Sequence, residues 1–179
     1  MREIQAGIQG VLLEMLTNTN EWLRFAEAKN GAVVALNSAI GMAAIAIYAD
    51  ATKVGCLVNA IFFSSMIALF LAVAVALLSF APILKATTLP AKKAITSGNL
   101  FFFGNTARMN QETLLNLIAG SLENDPSPSE IEKDIANQVL INSRITTRKF
   151  LLFEISMWLT LSALITPPIA IILFWILRK

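Results

Sequence analysis

The chain has 179 residues, with 14 Lys and Arg against 12 Asp and Glu, no histidine and one cysteine. Its formal net charge of +2 is too small to predict binding to a nucleic-acid polymer. The absence of histidine and the single Cys56 exclude histidine bases, histidine-rich metal sites and internal disulfides. The sequence also lacks a Walker loop and the G-x-G-x-x-G and G-x-S-x-G motifs. We therefore predict neither an enzyme nor a metal site.

The amphipathic pattern of segment 1–30 predicts a cytosolic N-terminal helix that approaches the first membrane span. Its apolar residues recur at helical spacing: Ile4, Ile8, Val11, Leu12 and Met15. This helix is expected to lie on the lipid surface or to pack against cytosolic partners. Polar residues 17–20 predict a break, with Asn18 and Glu21 as a capping pair for the helix that follows. Acidic and amide residues interrupt the segment, so we expect it to stay attached and not to act as a secretory signal.

Three runs of the sequence contain no charged residue: 31–49, 54–84 and 155–177. A helix rises about 1.5 Å per residue, so about 20 apolar residues cross a hydrocarbon core of about 30 Å. A chain of this length cannot bury three such helices in a soluble core. The sequence thus predicts an all-α membrane protein with three transmembrane helices. A helical hairpin spans 31–84, with spans at about 31–49 and 54–80, and a third helix follows at 150–179.

Small and mildly polar residues within the spans are typical of close helix contacts. Asn37, Ser38 and Gly41 of the first span are the candidates for helix packing or for lining a pore. The absence of charged residues within the spans excludes a proton relay or a voltage sensor. Pro167 and Pro168 are expected to kink or locally unwind the third span.

Basic residues are distributed unevenly between the two sides of the membrane. The N-terminal segment and the stretch between the second and third spans carry eleven Lys and Arg, against three on the opposite side. Because cytoplasmic segments carry the excess of Lys and Arg, the N-terminus and the insert 85–149 are predicted to be cytoplasmic.

The insert 85–149 is predicted to be a small helical region. Asn110 is expected to start a short amphipathic helix, and Ser127 with Glu130 forms a capping-box pattern for a helix that continues into the third span. Three consecutive phenylalanines precede these helices, and they allow two interpretations. They anchor the insert to the bilayer or to neighbouring helices, or they line a pocket where Arg108 and amides freed by Gly104 receive a small planar anion.

Three segments resemble the motifs of the Pycsar transmembrane effectors, in the expected order. Residues 21–37 resemble the opening motif F-A-D/E-x-K-x-G/A with its following apolar run and central Asn, and residues 99–107 resemble the phenylalanine-glycine motif. Residues 134–150 resemble the stretch that precedes the last span of these effectors. The three segments are distributed over residues 21–150 of the chain.

The resemblance implies an antiphage effector in the bacterial inner membrane. A partner cyclase would supply a cyclic pyrimidine mononucleotide, cyclic CMP or cyclic UMP, which the cytosolic region would bind. Binding would then lead to a loss of membrane integrity and to abortive infection. Since three spans are too few to enclose an aqueous path in the lipid bilayer, a homo-oligomer is expected.

A cyclic mononucleotide carries one negative charge and a flat base, so its site needs cations, an aromatic surface and side-chain amides. The insert contains each of these groups, with Arg108 and Arg144 as the first candidates. The full set of expected nucleotide-binding residues is Asn99, Phe101, Phe103, Asn105, Arg108, Arg144 and Arg148. The alternatives are a membrane scaffold without a nucleotide ligand and a channel-like subunit.

Overall fold

The computed structural model of the protein describes residues 7–50, 55–81, 96–122 and 127–177. These residues form five helices and no strand: α1 (Ile8–Ala49), α2 (Cys56–Leu78), α3 (Phe103–Thr106), α4 (Gln111–Ala119) and α5 (Glu130–Leu177). The predicted all-α class is confirmed. The turn expected at 50–53 and the basic stretch around Lys92 lie wholly or partly outside the described residues.

Within the described residues, α1, α2 and α5 are long and apolar enough to cross a membrane. Many of their large apolar side chains are exposed, including Met42, Ile47 and Phe70. A soluble protein rarely exposes such a continuous apolar surface, whereas the hydrocarbon of a bilayer covers it without cost. The prediction of a membrane protein with three spans is confirmed.

The helices form two compact units, and α1 and α5 contribute to both. The first unit contains α1 up to Ala26, together with α3, α4 and α5 up to Lys149. The second unit contains α1 from Glu27, α2, and α5 from Phe150.

The apolar face of α1 forms part of the core of the first unit. Ile8, Leu12 and Met15 are fully buried there in one cluster with Leu114 of α4 and Val139 of α5. Burying one such side chain contributes about 1.5–3 kcal/mol. The amphipathic helix is therefore present, and it packs against the chain's own insert and not on a lipid surface.

The predicted break at residues 17–20 is wrong, because α1 continues through them without interruption. Each polar side chain finds a partner while the backbone stays helical. Thr17 donates to the carbonyl of Leu13 (2.9 Å), Asn18 donates to the carbonyl of Phe101 (2.9 Å), and Asn20 accepts from Asn142 (2.8 Å). Tertiary contacts thus replace the cap that the sequence pattern predicts.

The start of α4 is confirmed, since the Asn110 side chain accepts a hydrogen bond from the amide of Thr113 at 2.7 Å. The start of α5 lies two residues later than predicted. Ser129 and not Ser127 forms the capping box: the Glu132 carboxylate accepts from the Ser129 amide (2.8 Å), and the Glu132 amide donates to Ser129 Oγ (3.3 Å). Both registers fit the sequence pattern, because each serine is followed three residues later by a glutamate.

The expected unwinding at Pro167 and Pro168 is also wrong, because α5 remains helical through both to Leu177. Proline removes the amide hydrogen bond to the residue four positions earlier. Membrane-spanning helices tolerate this loss, because non-helical backbone at that depth would expose more polar groups to hydrocarbon.

Side-chain hydrogen bonds link the helices of the second unit in pairs. Asn37 Nδ2 donates to Thr160 Oγ1 (2.9 Å) between α1 and α5, and Ser156 Oγ donates to the carbonyl of Ala72 (2.7 Å) between α5 and α2. Tyr48 of α1 donates to Asn59 of α2 (2.8 Å). Such bonds between membrane helices average about 0.6 kcal/mol, so they orient the helices more than they stabilise them.

Candidate functional site

Residues 98–110, which we call the phenylalanine loop, fold back on themselves around the short helix α3. Asn99 Oδ1 accepts from the amide of Phe101 (2.9 Å), and Thr106 Oγ1 donates to the carbonyl of Leu100 (2.8 Å). The loop begins at Gly98, whose φ of 142° is open to glycine alone. A Cβ at this position would also lie 2.8 Å from Asn105 Nδ2. The loop is therefore a defined structure that Gly98 and Asn105 shape.

The phenylalanine loop contacts α1 within the first unit. Asn18 donates to the carbonyl of Phe101, and the ring of Phe103 lies 5.6 Å from that of Trp22 between centroids. Phe101 and Phe102 remain 40% and 46% exposed. Phe103 thus packs on a neighbouring helix, as the first interpretation expects, while the pocket for a planar anion stays a prediction.

Arg144 of α5 holds the end of the phenylalanine loop. Its Nε donates to the carbonyl of Ala107 and its Nη2 to the carbonyl of Met109, both at 3.2 Å. These carbonyls belong to the residues on either side of Arg108, so Arg144 contacts the backbone of the turn that contains Arg108. A guanidinium has five N–H donors, and three of those on Arg144 are not used by these two bonds.

Arg148 lies one turn further along α5, on the same face as Arg144. It is half-buried and, within the part of the chain that the structure describes, makes no hydrogen bond or ion pair. Arg108 is also half-buried. The first unit therefore carries three half-buried arginines: Arg108 lies in the turn that Arg144 holds, and Arg148 lies on the same helix face as Arg144.

The amides predicted to read a base are already engaged with the loop itself. Asn99 supports the amide of Phe101, and Asn105 Nδ2 donates to the carbonyl of Asn99 at 3.4 Å. Their direct role is to shape the loop that presents the aromatic rings.

A shallow surface pocket of about 340 Å³ lies on α1, lined by Asn18, Glu21, Trp22 and Phe25. The Asn18 amide nitrogen is committed to Phe101, so this side chain presents its carbonyl oxygen as an acceptor. Glu21 makes no hydrogen bond or ion pair with the described residues. Sequence reasoning did not select these residues for the site, although their i, i+3, i+4, i+7 spacing places them on one helix face.

The three residues predicted for packing or for a pore fall into different environments. Asn37 is buried between helices of the second unit, with 2% of its surface exposed. Ser38 is exposed, and its hydroxyl donates to the carbonyl of Val34 on its own helix at 2.8 Å. Gly41 is half-buried, and an added Cβ would meet no atom within 4 Å.

These features define a class: an all-helical protein with three helices able to span a membrane and a unit that carries half-buried arginines and exposed phenylalanines. A sequence model of the Pycsar effector protein domain matches residues 11–177. The chain belongs to the Pycsar effector family, which confirms the resemblance found in its motifs. Neither the curated proteins nor the solved structures contain a significant match. Membership supports a role in antiphage defence and implies a cyclic-nucleotide signal from a partner cyclase.

Proposed function

We propose that this protein is a cyclic-nucleotide-activated membrane effector of a bacterial antiphage defence system. Cyclic CMP or cyclic UMP binds to the first unit and drives a rearrangement of a homo-oligomer in the inner membrane. Loss of membrane integrity then causes abortive infection. The observation that carries the proposal is that Arg144 bonds to the carbonyls on either side of Arg108, at a loop that exposes aromatic rings.

The proposed site uses each of these groups for one part of the nucleotide. Arg108, the unused donors of Arg144, and Arg148 bind the phosphate, because a guanidinium matches its oxygens in charge and geometry. The base lies against the aromatic rings of Phe101 and Phe103, which Asn99 and Asn105 hold in place. The excess of basic residues supports a cytoplasmic location for the N-terminus and the insert 85–149, on the side where the partner cyclase would release its product.

Helix α5 supplies the proposed link between binding and the membrane. It is continuous from Glu130 to Leu177, with Arg144 in the first unit and residues from Phe150 onward in the second. A displacement of its first part is therefore passed into the span. The nucleotide must bind the permeabilising state more tightly than the resting state, since equal affinity would shift no population.

Dye-filled liposomes carrying the purified protein test the proposal. We expect cyclic CMP or cyclic UMP to release the dye, and Arg108→Glu to abolish release while leaving the protein inserted. Lys133→Glu is the matched control, because it reverses a charge whose exposed ion pair with Glu130 contributes little. Release by Arg108→Glu at the rate of the control would refute the site.

Two further outcomes would favour the alternatives. If neither nucleotide raises the melting temperature of the detergent-solubilised protein, a scaffold without a nucleotide ligand is favoured. If liposomes conduct constitutively without nucleotide, a channel-like subunit is favoured.

Substitutions of Thr147 in α5 test the proposed link between nucleotide binding and the membrane. Its hydroxyl donates to the carbonyl of Ser143 (2.9 Å) in the helix interior. Thr147→Pro removes the amide donor and costs the helix about 3 kcal/mol, whereas Thr147→Ala keeps the backbone intact. We expect Thr147→Pro to bind nucleotide but release no dye, and Thr147→Ala to do both. Equal release by the two variants would show that an unbroken α5 is not required.

A further inference from the structure

Asn37 leaves one polar atom unpaired inside the membrane-spanning unit. Its Nδ2 donates to Thr160 Oγ1, which donates in turn to the carbonyl of Ser156 (2.9 Å). Its Oδ1 is buried and accepts no hydrogen bond from the described residues. Leaving such an acceptor unsatisfied costs free energy, because the group has lost its water and gained no partner. An apolar side chain in its place would avoid that cost.

A second unpaired polar group lies nearby on α2. The Ser65 hydroxyl is buried without a hydrogen-bond partner among the described residues, and Ser65 lines an apolar cavity of about 420 Å³. Ile40 and Ala163 also line this cavity. They follow Asn37 and Thr160 by three residues, about one helical turn. Two residues that line the cavity therefore lie about one helical turn from the Asn37–Thr160 pair.

No donor among the described residues bonds to the Asn37 carbonyl, and the Ser65 hydroxyl also stays unpaired. The other residues that line the cavity are apolar apart from Tyr48, whose hydroxyl donates to Asn59. Water can satisfy either unpaired group, because it both donates and accepts. Polar groups that membrane helices bury at a cost are candidates for a functional role.

We infer that Asn37 lines the path by which water and small hydrated ions cross the membrane when the effector is active. The inference rests on the proposed loss of membrane integrity and names the residue at which it occurs. Thr160 positions the Asn37 amide in the resting packing, and rearrangement of the protomers exposes the unpaired carbonyl to water. Ser38 is excluded from this path, because its hydroxyl is satisfied by its own helix.

Cysteine accessibility tests the inference directly, because Cys56 is the chain's single cysteine. In a Cys56→Ala parent, Asn37→Cys is treated in liposomes with a charged, membrane-impermeant thiol reagent. Thiols react as thiolates, which form only where water reaches them. If the open state is a minor population at rest, nucleotide should accelerate modification of Asn37→Cys at least about tenfold. Ser38→Cys is the matched control and should not respond.

The outcomes separate the two proposals. If the Cys56→Ala parent releases dye with nucleotide but the labelling rate of Asn37→Cys does not change, the inference is overturned and the proposed function stands. If the parent releases no dye with either cyclic pyrimidine mononucleotide, the proposed function falls and the inference falls with it.

Asn37→Leu provides a second measurement that does not depend on labelling. It removes the unpaired carbonyl, while Thr160 retains its bond to Ser156. We expect unchanged nucleotide affinity, a melting temperature at or above that of the wild type, and dye release slowed at least about tenfold. Release at the wild-type rate would overturn the inference.

Discussion

Arg144 allows a quantitative test, because its two hydrogen bonds hold a turn that amide exchange can monitor. Bonds to a charged group contribute about 1.5–3 kcal/mol each. Both lengths are 3.2 Å, at the long end of the usual range, and one partly exposed side chain makes both. We therefore expect Arg144→Gln to cost about 2–3 kcal/mol of local stability.

Hydrogen exchange of the first unit measures this cost without nucleotide. The amides of Ala107, Arg108 and Met109 bond within the turn to the carbonyls of Phe103, Asn105 and Thr106. A loss of 2–3 kcal/mol would speed their exchange by about 30- to 150-fold. Arg148→Gln is the matched control, since it removes the same charge one turn away, and should change exchange by about twofold or less. Equal acceleration in both variants would refute the structural role of Arg144.

Three further substitutions test the first unit. Leu12→Ala should lower the free energy of unfolding by about 2–5 kcal/mol, because the side chain is fully buried; little change in thermal denaturation would show that α1 does not pack in this core. Ser129→Ala should lower the stability of the protein by about 1 kcal/mol and speed amide hydrogen exchange in the first turn of α5. Ser127→Ala should do neither. Gly98→Ala should lower the free energy of unfolding by about 1–3 kcal/mol, because the φ of 142° at this position strains alanine. An unchanged melting temperature would contradict this strain.

The membrane-spanning helices are predictable from sequence, because the length of an apolar run reflects bilayer thickness directly. The cap at Asn110 is predictable for a similar reason, since its partner lies three residues away. The continuity of α1, in contrast, is not predictable from the sequence. Asn18 and Asn20 bond to residues 83 and 122 positions away, and no local pattern contains those partners.

The candidate site, too, is only partly predictable from the sequence. Residue types identify Arg108 and Arg144 as cations in the insert, but the bonds from Arg144 to the turn around Arg108 depend on a loop that folds back to α5. The hydrogen bond by which Asn99 supports this loop is found only in the structure, and its role in ligand binding stays a prediction. The contact of Trp22 with Phe103 becomes visible only once the loop is placed on α1.

The burial of Leu12 against residues such as Val139 has a consequence for biosynthesis. A ribosome adds about 5–20 residues per second, so the apolar side of the first helix stays uncovered for about 6–25 s until its partner is made. Both hairpin spans emerge during that interval. The first two spans are therefore available for insertion into the bilayer before the core of the first unit can close.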